Sequence, residues 1–338
     1  MTETNYSLDY GSDKNGLIWG YLFIPNQPAQ IIKGEEVRNF LNQPQHEGEF
    51  IWLHSALSNA STIPWLKENL VLPESFFDSL GSEISPSRIE QEDDVLVAVI
   101  HDVLFGSTFD AAAVGTASLV IQRHVLVSAR LRPLRSLEEL RNAVRGGHIF
   151  HSTVELLAHL LRDQAIVLGD ILRRSTIRVD HIEDRLLANL SSTSPKELSS
   201  LRRALVRLQR LLAPEPAAFF RLLNRPPDWI TSDDLKDLQH AAEEFSVSIG
   251  DSTALAERVK LIQEELAATI NQQTNQTLFV LTLVTVIALP INIVAGLFGM
   301  NVGGVPLAND PNGFTLVVGV LVLFSLVVVY LVFGRNRN

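Results

Sequence analysis

The chain of 338 residues contains no cysteine and only two methionines. Without cysteine, disulfides are excluded, and any metal site must be built without thiolate ligands. The first fifteen residues are polar, which predicts that no signal peptide is present. The sequence also lacks a P-loop, a dinucleotide-binding fingerprint and a Ser/His/Asp arrangement, so nothing in it indicates an enzyme or a resident cofactor.

Basic residues are outnumbered by acidic ones. The formal net charge is -10, from 28 Lys and Arg against 38 Asp and Glu. Binding to nucleic acid needs stripes of Lys and Arg that face phosphates, so we expect no nucleic-acid partner. An acidic soluble part attracts cations, although many soluble proteins share that property.

Charge is missing altogether from two stretches near the end, residues 266–309 and 311–334. They contain two apolar runs, Thr277–Phe298 and Phe314–Phe333, each close to the ~20 residues that cross a bilayer core. Buried core helices of a soluble protein are the alternative, but two adjacent uncharged runs of this length are rare there. We therefore predict two transmembrane helices and the lipid bilayer as a partner.

The placement of Arg and Lys predicts the orientation. The segment 299–313, which links the two runs, has neither, whereas Arg335 and Arg337 follow the second run directly. The positive-inside rule then puts both termini in the cytoplasm and the linking loop outside. The expected location is the cell (inner) membrane, with two passes.

Polar residues of the first run recur every three or four positions, on one side of a helix. Thr residues at such positions serve helix packing as often as they line a pore. A buried amide such as that of Asn292 is costly in a membrane and favours a pore. Two helices cannot enclose a path, so several copies are needed. The stripe comprises Asn271, Asn275, Leu278, Thr282, Thr285, Leu289, Asn292 and Gly296.

The soluble part alternates predicted strands with helices, which indicates an α/β domain around a central sheet. The predicted strands are Leu17–Ile24, Phe50–His54, Val95–Leu104 and Ala117–Val127. The predicted helices are Glu35–Leu41, Pro64–Asn69, Leu137–Val144 and Thr153–Leu190, with Ser194 and Glu197 resembling a capping box for one more.

A further helix is predicted to open at Thr231–Asp234 and to continue without proline into the first apolar run. If unbroken from Asp233 to Phe298, it is ~100 Å long at 1.5 Å per residue. Gly250 is the residue most able to interrupt it, because a mid-helix glycine costs ~1 kcal/mol.

These features predict six segments along the chain. They are a cytoplasmic α/β and helical domain (1–230), a stalk helix (231–276), a first transmembrane helix (277–298), an external loop (299–313), a second transmembrane helix (314–333) and a basic cytoplasmic tail (334–338).

A tripeptide, Gly299-Met300-Asn301, follows the first apolar run. At the outer end of the first of two C-terminal membrane helices, it resembles the signature of the CorA family of divalent-cation transporters. Pro290 and the run from Ala295 to Phe298, which precede it, support the resemblance. The loop that follows, with Gly303-Gly304 and Pro306, looks like that of the zinc-transporting branch, the ZntB-like proteins.

The resemblance implies a CorA-like funnel, a homopentamer, and a pore lined by the first membrane helix, with Asn301 ringing its outer mouth and Zn²⁺ as the transported ion. Magnesium, cobalt or nickel is the alternative cargo within the family. The matching pore positions are Asn275, Leu278, Leu281, Leu289, Asn292 and Asn301.

The chemistry of these residues fits a hydrated ion. Uncharged Asn carbonyls cannot repay the dehydration of a dication, but they can accept hydrogen bonds from its waters. The candidate ion-binding residues are Asn275, Thr285, Asn292, Gly299, Met300 and Asn301. Leu278, Leu281 and Leu289 are a candidate gate that closes by dewetting, and ordinary helix packing is an equally good account of them.

Three further residues are candidates for a cytoplasmic metal site. His148 and His151 are three apart, a spacing that places two imidazoles on one face if the segment is helical, and His159 follows two turns later. Surface histidines at a helix start are the stronger alternative. Glu264 is the acidic residue we select on the predicted stalk, where a solvated face is the simpler account of the acids.

Two functions from other classes compete with transport. A membrane-anchored signalling or scaffold protein would need the two helices only as a tether, and it would have no use for Asn in the bilayer. A membrane enzyme ranks last, because the sequence contains no recognisable catalytic arrangement.

Overall fold

The computed structural model describes residues 11–80, 86–105, 114–188, 195–300, 306 and 311–335. The chain divides into two compact units, Met1–Gln263 and Glu264–Asn338. In its described residues, the first unit contains a sheet, seven helices and the beginning of an eighth. The described part of the second unit contains two long apolar helical segments.

A seven-stranded mixed sheet forms the centre of the first unit, in the order β2-β1-β3-β7-β6-β5-β4. Only β3 and β7 run parallel, and the other neighbours are antiparallel. Every residue of β3 and β7 is buried, which explains why both strands begin with a run of apolar residues. The strands are β1 (Leu17–Phe23), β2 (Gln30–Ile31), β3 (Phe50–Ala56), β4 (Arg88–Glu92), β5 (Val95–Val103), β6 (Val114–Ile121) and β7 (Val125–Arg130).

The prediction of one strand over Ala117–Val127 is wrong. The chain reverses at Gln122–His124, where the N–H of Gln122 donates to the carbonyl of Val125 at 2.8 Å, and β6 pairs antiparallel with β7. The flanking residues are apolar on both sides of this three-residue polar turn, so the run looks continuous. The edge strand β4 was not predicted, because its sequence Arg-Ile-Glu-Gln-Glu is mostly polar.

Seven helices complete the described part of the first unit before the long C-terminal helix. They are α1 (Gly34–Leu41), α2 (Thr62–Asn69), α3 (Glu74–Ser79), α4 (Arg135–Arg145), α5 (Thr153–Leu187), α6 (Pro195–Leu212) and α7 (Pro214–Asn224). The amphipathic pattern predicted for α4 and α5 is confirmed. Ser194, of the predicted capping box, lies outside the described residues.

The predicted long helix exists: α8 spans Ser232–Phe298 without interruption at Gly250. Its start is a reciprocal cap, because Thr231 Oγ1 accepts the N–H of Asp234 while Asp234 Oδ2 accepts the N–H of Thr231, each at 3.2 Å. Asp234 also accepts the hydroxyl of Ser152, which caps α5, so the two helices start side by side.

The last helix, α9 (Gly313–Arg335), completes the second unit. Both α8 and α9 are long and apolar enough to cross a membrane, and none of the residues in the apolar window of α8 is buried by the chain itself. Apolar helices left uncovered in this way need lipid or another protein surface around them, which agrees with two transmembrane helices.

Candidate functional site

The polar stripe lies on the exposed side of α8. Asn275, Thr282, Thr285 and Asn292 are all exposed in the single chain. The half-buried side chains of the same segment lie on another face, and Ile291, which is one of them, lines a shallow groove of about 420 Å³ with residues of α9. These half-buried residues are Leu283, Ile287, Ala288, Pro290, Ile291 and Val294.

The two faces are roughly opposite. At 3.6 residues per turn, Asn292 is directed about half a turn away from Leu283, and Thr285 about the same. Half-buried residues of α9 repeat at similar spacing, at Val317, Leu321 and Ser325, and the last two line the groove with Ile291. Within one chain, the side of α8 opposite the polar stripe is therefore half-buried, and the stripe itself stays exposed.

The threonine hydroxyls of the stripe bond to their own helix. Thr282 Oγ1 donates to the carbonyl of Leu278 and Thr285 Oγ1 to that of Leu281, both at 2.8 Å. Each hydroxyl proton is thereby used, and the two lone pairs of the oxygen remain available to accept. Acceptor oxygens suit the outward-pointing hydrogens of a hydrated cation.

Pro290 adds a further acceptor near the stripe. It lies inside α8 and has no N–H, so the carbonyl of Val286 loses the donor that residue 290 would otherwise supply. Asn292 follows two residues later, with its amide exposed. This part of the helix is therefore richer in oxygen acceptors than a regular apolar span.

The helix ends at the tripeptide. The N–H of Gly299 donates to the carbonyl of Ala295 at 2.9 Å, and a Cβ at position 299 would lie 3.0 Å from that same oxygen. The close approach explains a glycine there. Met300 is described and exposed, whereas Asn301 lies outside the described residues.

The three candidate gate leucines are exposed in the single chain, as expected for side chains that face other copies. Leu278, Leu281 and Leu289 have exposed fractions of 53%, 60% and 57%. Glu264, the selected acid of α8, is also exposed. The arrangement leaves the gate and the stripe on the uncovered part of the helix.

The histidine pair does not have the geometry assumed from its spacing. His148 and His151 precede α5 and lie in a non-helical segment, so they do not share a helix face. His148 instead contacts His159, with ring centroids 5.3 Å apart. The backbone N–H of His151 donates to the side-chain carboxyl of Glu155. Among the described residues, no group of three or more His, Cys, Asp or Glu side chains is arranged to hold a metal ion.

His159 and Asp163 meet on α5 but do not form an ion pair near neutral pH. Their Nε2 and Oδ2 atoms are 3.8 Å apart. Burial, with a contribution from His148, lowers the pKa of His159 to about 4, and burial with Glu139 nearby raises the pKa of Asp163 to about 7. Between these values both groups are neutral, so neither is prepared as a charged ligand.

A buried polar cluster was missed by sequence reasoning. The carboxyl group of Glu215, at the start of α7, accepts the backbone N–H of His101 at 2.6 Å and the hydroxyl of Ser87 at 3.1 Å, and the side-chain amide of Gln164 lies 3.4 Å away. Burial raises the pKa of Glu215 to about 8. The only sequence signal is an acid between two prolines, Pro214 and Pro216, which marks a helix start.

Comparison with known proteins supplies the context. The family model described as "CorA-like Mg2+ transporter protein" matches residues 47–335. The divalent cation transporter CmaX of Pseudomonas aeruginosa is 26% identical over 309 residues, covering 90% of this chain and 91% of its own. The zinc transport protein ZntB of Yersinia enterocolitica is 23% identical over 275 residues, covering 81% of this chain and 84% of its own.

The fold agrees with a solved structure over nearly the whole chain. The structure of full-length CmaX superposes with a TM-score of 0.79 at 24% sequence identity, covering 97% of this chain and all of the other. Both the sheet domain and the C-terminal apolar helices fall within this match. Since the family model extends over most of the sequence, the protein belongs to the CorA family of metal-ion transporters.

Proposed function

We propose that this protein carries divalent cations, zinc foremost, across the cell membrane through a pore formed by several copies, with the hydrated ion held at its mouth by a ring of Asn301. The observation that carries the proposal is the polar stripe of α8, which α9 leaves uncovered. Exposed Asn amides inside a membrane need water, an ion or another protein surface as hydrogen-bond partners. A ring of such helices around a pore offers these groups water in the pore, the transported ion and the surfaces of neighbouring copies.

Five copies in the inner membrane, with both termini in the cytoplasm, complete the proposal. The number five comes from the family resemblance, and the orientation from Arg335 and Arg337. The transported ion is cargo, and no resident cofactor is invoked. A reporter fused after Asn338 should read as cytoplasmic, and an external signal would contradict the orientation.

Zinc is favoured over magnesium by the loop after the tripeptide, with Gly303-Gly304 and Pro306, and by the similarity to ZntB. Magnesium is the second candidate, because the family description names it and because CmaX is described only as a divalent cation transporter. The two are separated by measuring both fluxes in one preparation.

The test is uptake of Zn²⁺ and of Mg²⁺ into proteoliposomes that contain the purified protein. We expect zinc uptake in the wild type, and a strong loss in Asn301→Ala, because the acceptor oxygens at the mouth are removed. Asn309→Ala, in the same loop, is the matched control and should transport normally. Full zinc uptake by Asn301→Ala, with the oligomer intact in mild detergent, would show that the ring is not the capture site.

A further inference from the structure

The helix α6 presents a strongly basic face in an acidic protein. Its only acid, Glu197, is held by Arg178 at 3.4 Å and by Arg185 at 3.5 Å, both on α5. The basic residues of α6 lie along an open groove of about 1220 Å³, in which the apolar Val206 is 46% exposed. They are Lys196, Arg202, Arg203, Arg207 and Arg210.

None of these five basic side chains pairs with a carboxylate in the part of the chain that the structure describes. Arg202 donates to the amide oxygen of Gln263 at 3.3 Å, and Arg203 to the carbonyl of Ser199 at 3.2 Å. Within the same described residues, Arg207 and Arg210 have no polar partner. An unpaired basic groove on a chain of net charge -10 calls for an acidic partner.

The same chain carries an acidic hairpin. The hairpin between β4 and β5 holds four acids within five residues, and it turns at Asp93, whose φ is 52°. Among the described residues, Glu90 is the only acid of the hairpin with an ion-pair partner, and that partner is Arg88 at 3.7 Å. The hairpin is flanked by Asp228, whose neighbour Trp229 donates to the carbonyl of Asp94 at 2.7 Å. The acids are Glu90, Glu92, Asp93, Asp94 and Asp228.

We propose that the basic groove of α6 on one copy receives the acidic β4–β5 hairpin of the next copy. Five basic groups meet five acidic ones, and a convex turn enters a concave groove. A second copy of the chain is the partner because it supplies the complement at the required one-to-one ratio. A contact between two different surfaces is heterologous, and it builds a ring when the rotation between successive copies closes on itself.

The charges act together rather than singly. One exposed ion pair contributes little, whereas a set of opposed charges selects the partner and its register. The contact therefore orients the copies that the proposed transport function requires, and it rests on that function only for the existence of an oligomer.

The absence of cysteine allows a direct test. One tagged version carries Arg207→Cys as its single thiol, a differently tagged version carries Asp93→Cys, and the two full-length chains are co-expressed. A short bis-maleimide should link the two tags, and a link between different tags is necessarily between copies. Glu68→Cys replaces Asp93→Cys in the control, because Glu68 is exposed on α2 and outside the proposed contact; this pair should not link.

Charge reversal then tests the physical basis. Arg203→Glu with Arg210→Glu on the first version should abolish most of the linking, as should Glu92→Lys with Asp94→Lys on the second. Combining both reversals should restore it, and added salt should weaken it. Equal linking in all these combinations would overturn the charge-based contact.

The inference and the proposed function fail in different ways. Absence of linking in a preparation that remains oligomeric and takes up zinc would overturn the α6 contact and leave the transport proposal standing. A preparation that is monomeric and takes up no divalent cation would overturn both.

Discussion

At the scale of single residues, the carboxyl of Glu215 gives the first unit a pH dependence. Burial raises its pKa from 4.5 to about 8, so between these values the folded chain keeps a proton that the unfolded chain has released. Stability therefore falls as pH rises through this window. Asp102 and Asp163, with pKa values raised by burial to about 6 and about 7, contribute in the same direction.

We expect Glu215→Gln to flatten that dependence, because the amide imitates the protonated carboxyl and cannot titrate. The slope of unfolding free energy against pH should decrease by up to one proton, about 1.4 kcal/mol per pH unit. Tryptophan fluorescence during thermal unfolding measures it, since all four tryptophans belong to the first unit. Asp237→Asn, at an exposed acid, is the control, and an equal slope in Glu215→Gln and wild type would contradict the assignment.

Gly299 supports a second prediction at this scale. A methyl group there would lie 3.0 Å from the carbonyl oxygen of Ala295, closer than side chains normally approach. Gly299→Ala should therefore shift the helix end and reduce ion uptake while the oligomer is retained.

The control for this substitution is Gly250→Ala, in the same helix. No atom lies within 4 Å of the Cβ that it adds, and replacing a mid-helix glycine by alanine stabilises a helix by ~1 kcal/mol. Uptake should be unchanged in Gly250→Ala. Equal uptake in both variants would mean that the backbone at position 299 has no part in transport.

At the scale of elements, we assign different roles to two faces of α8. One conservative substitution on each face can distinguish the two roles. Thr285→Val removes one oxygen from the uncovered stripe and preserves the side-chain shape. We expect uptake to fall several-fold. Ile287→Val, on the face toward α9, removes only a methylene and should leave uptake near the wild-type level. A larger loss in Ile287→Val than in Thr285→Val would reverse the assignment of the faces.

The elements that sequence predicts best are those with long, uniform signals. The two apolar spans follow from the absence of charge over many residues, and the run of α8 into the first span follows from the absence of proline before that span. The structure confirms both predictions. The β6–β7 turn was missed because three polar residues between two apolar runs are too short a signal. The strand β4 was missed because an edge strand need bury little, and its sequence is mostly polar.

The candidate site was predictable only in part. The spacing of Thr285 and Asn292 gives their common face, since a helix has a fixed period. By contrast, His148 meets His159 through the packing of a loop against α5, which spacing along the chain cannot show. The burial of Glu215 likewise depends on β5 and α5, which are distant in sequence.

At the scale of the whole molecule, the absence of soft ligands predicts broad selectivity. The chain has no cysteine, and apart from Tyr330 no ionisable side chain lies within either predicted span. Zinc is usually singled out by thiolate and imidazole ligands. Contact through the ion's own waters should therefore admit cobalt, nickel and cadmium as well. Competition with zinc uptake measures this, and strict zinc specificity would reveal an inner-sphere site.

The absence of ionisable side chains other than Tyr330 from the predicted spans also bears on proton coupling. A carboxylate or histidine relay within the bilayer is the usual sign of proton coupling. If zinc uptake responds to a proton gradient, the titrating group must lie outside the spans, and Glu264 on α8 is our candidate. A pH series on Glu264→Gln tests it, with Glu265→Gln as the neighbouring control. Identical pH profiles for Glu264→Gln and wild type would exclude Glu264.

The backward hydrogen bonds of the threonines in α8 also bear on how the protein is made. Thr277, Thr282 and Thr285 each donate to the carbonyl four residues earlier. A newly synthesised copy therefore enters the lipid with these hydroxyl protons already bonded, and the helix need not wait for its neighbours to be tolerated there. Insertion can precede assembly, and of the stripe's side chains only the amides, such as that of Asn292, gain their partners when the copies meet.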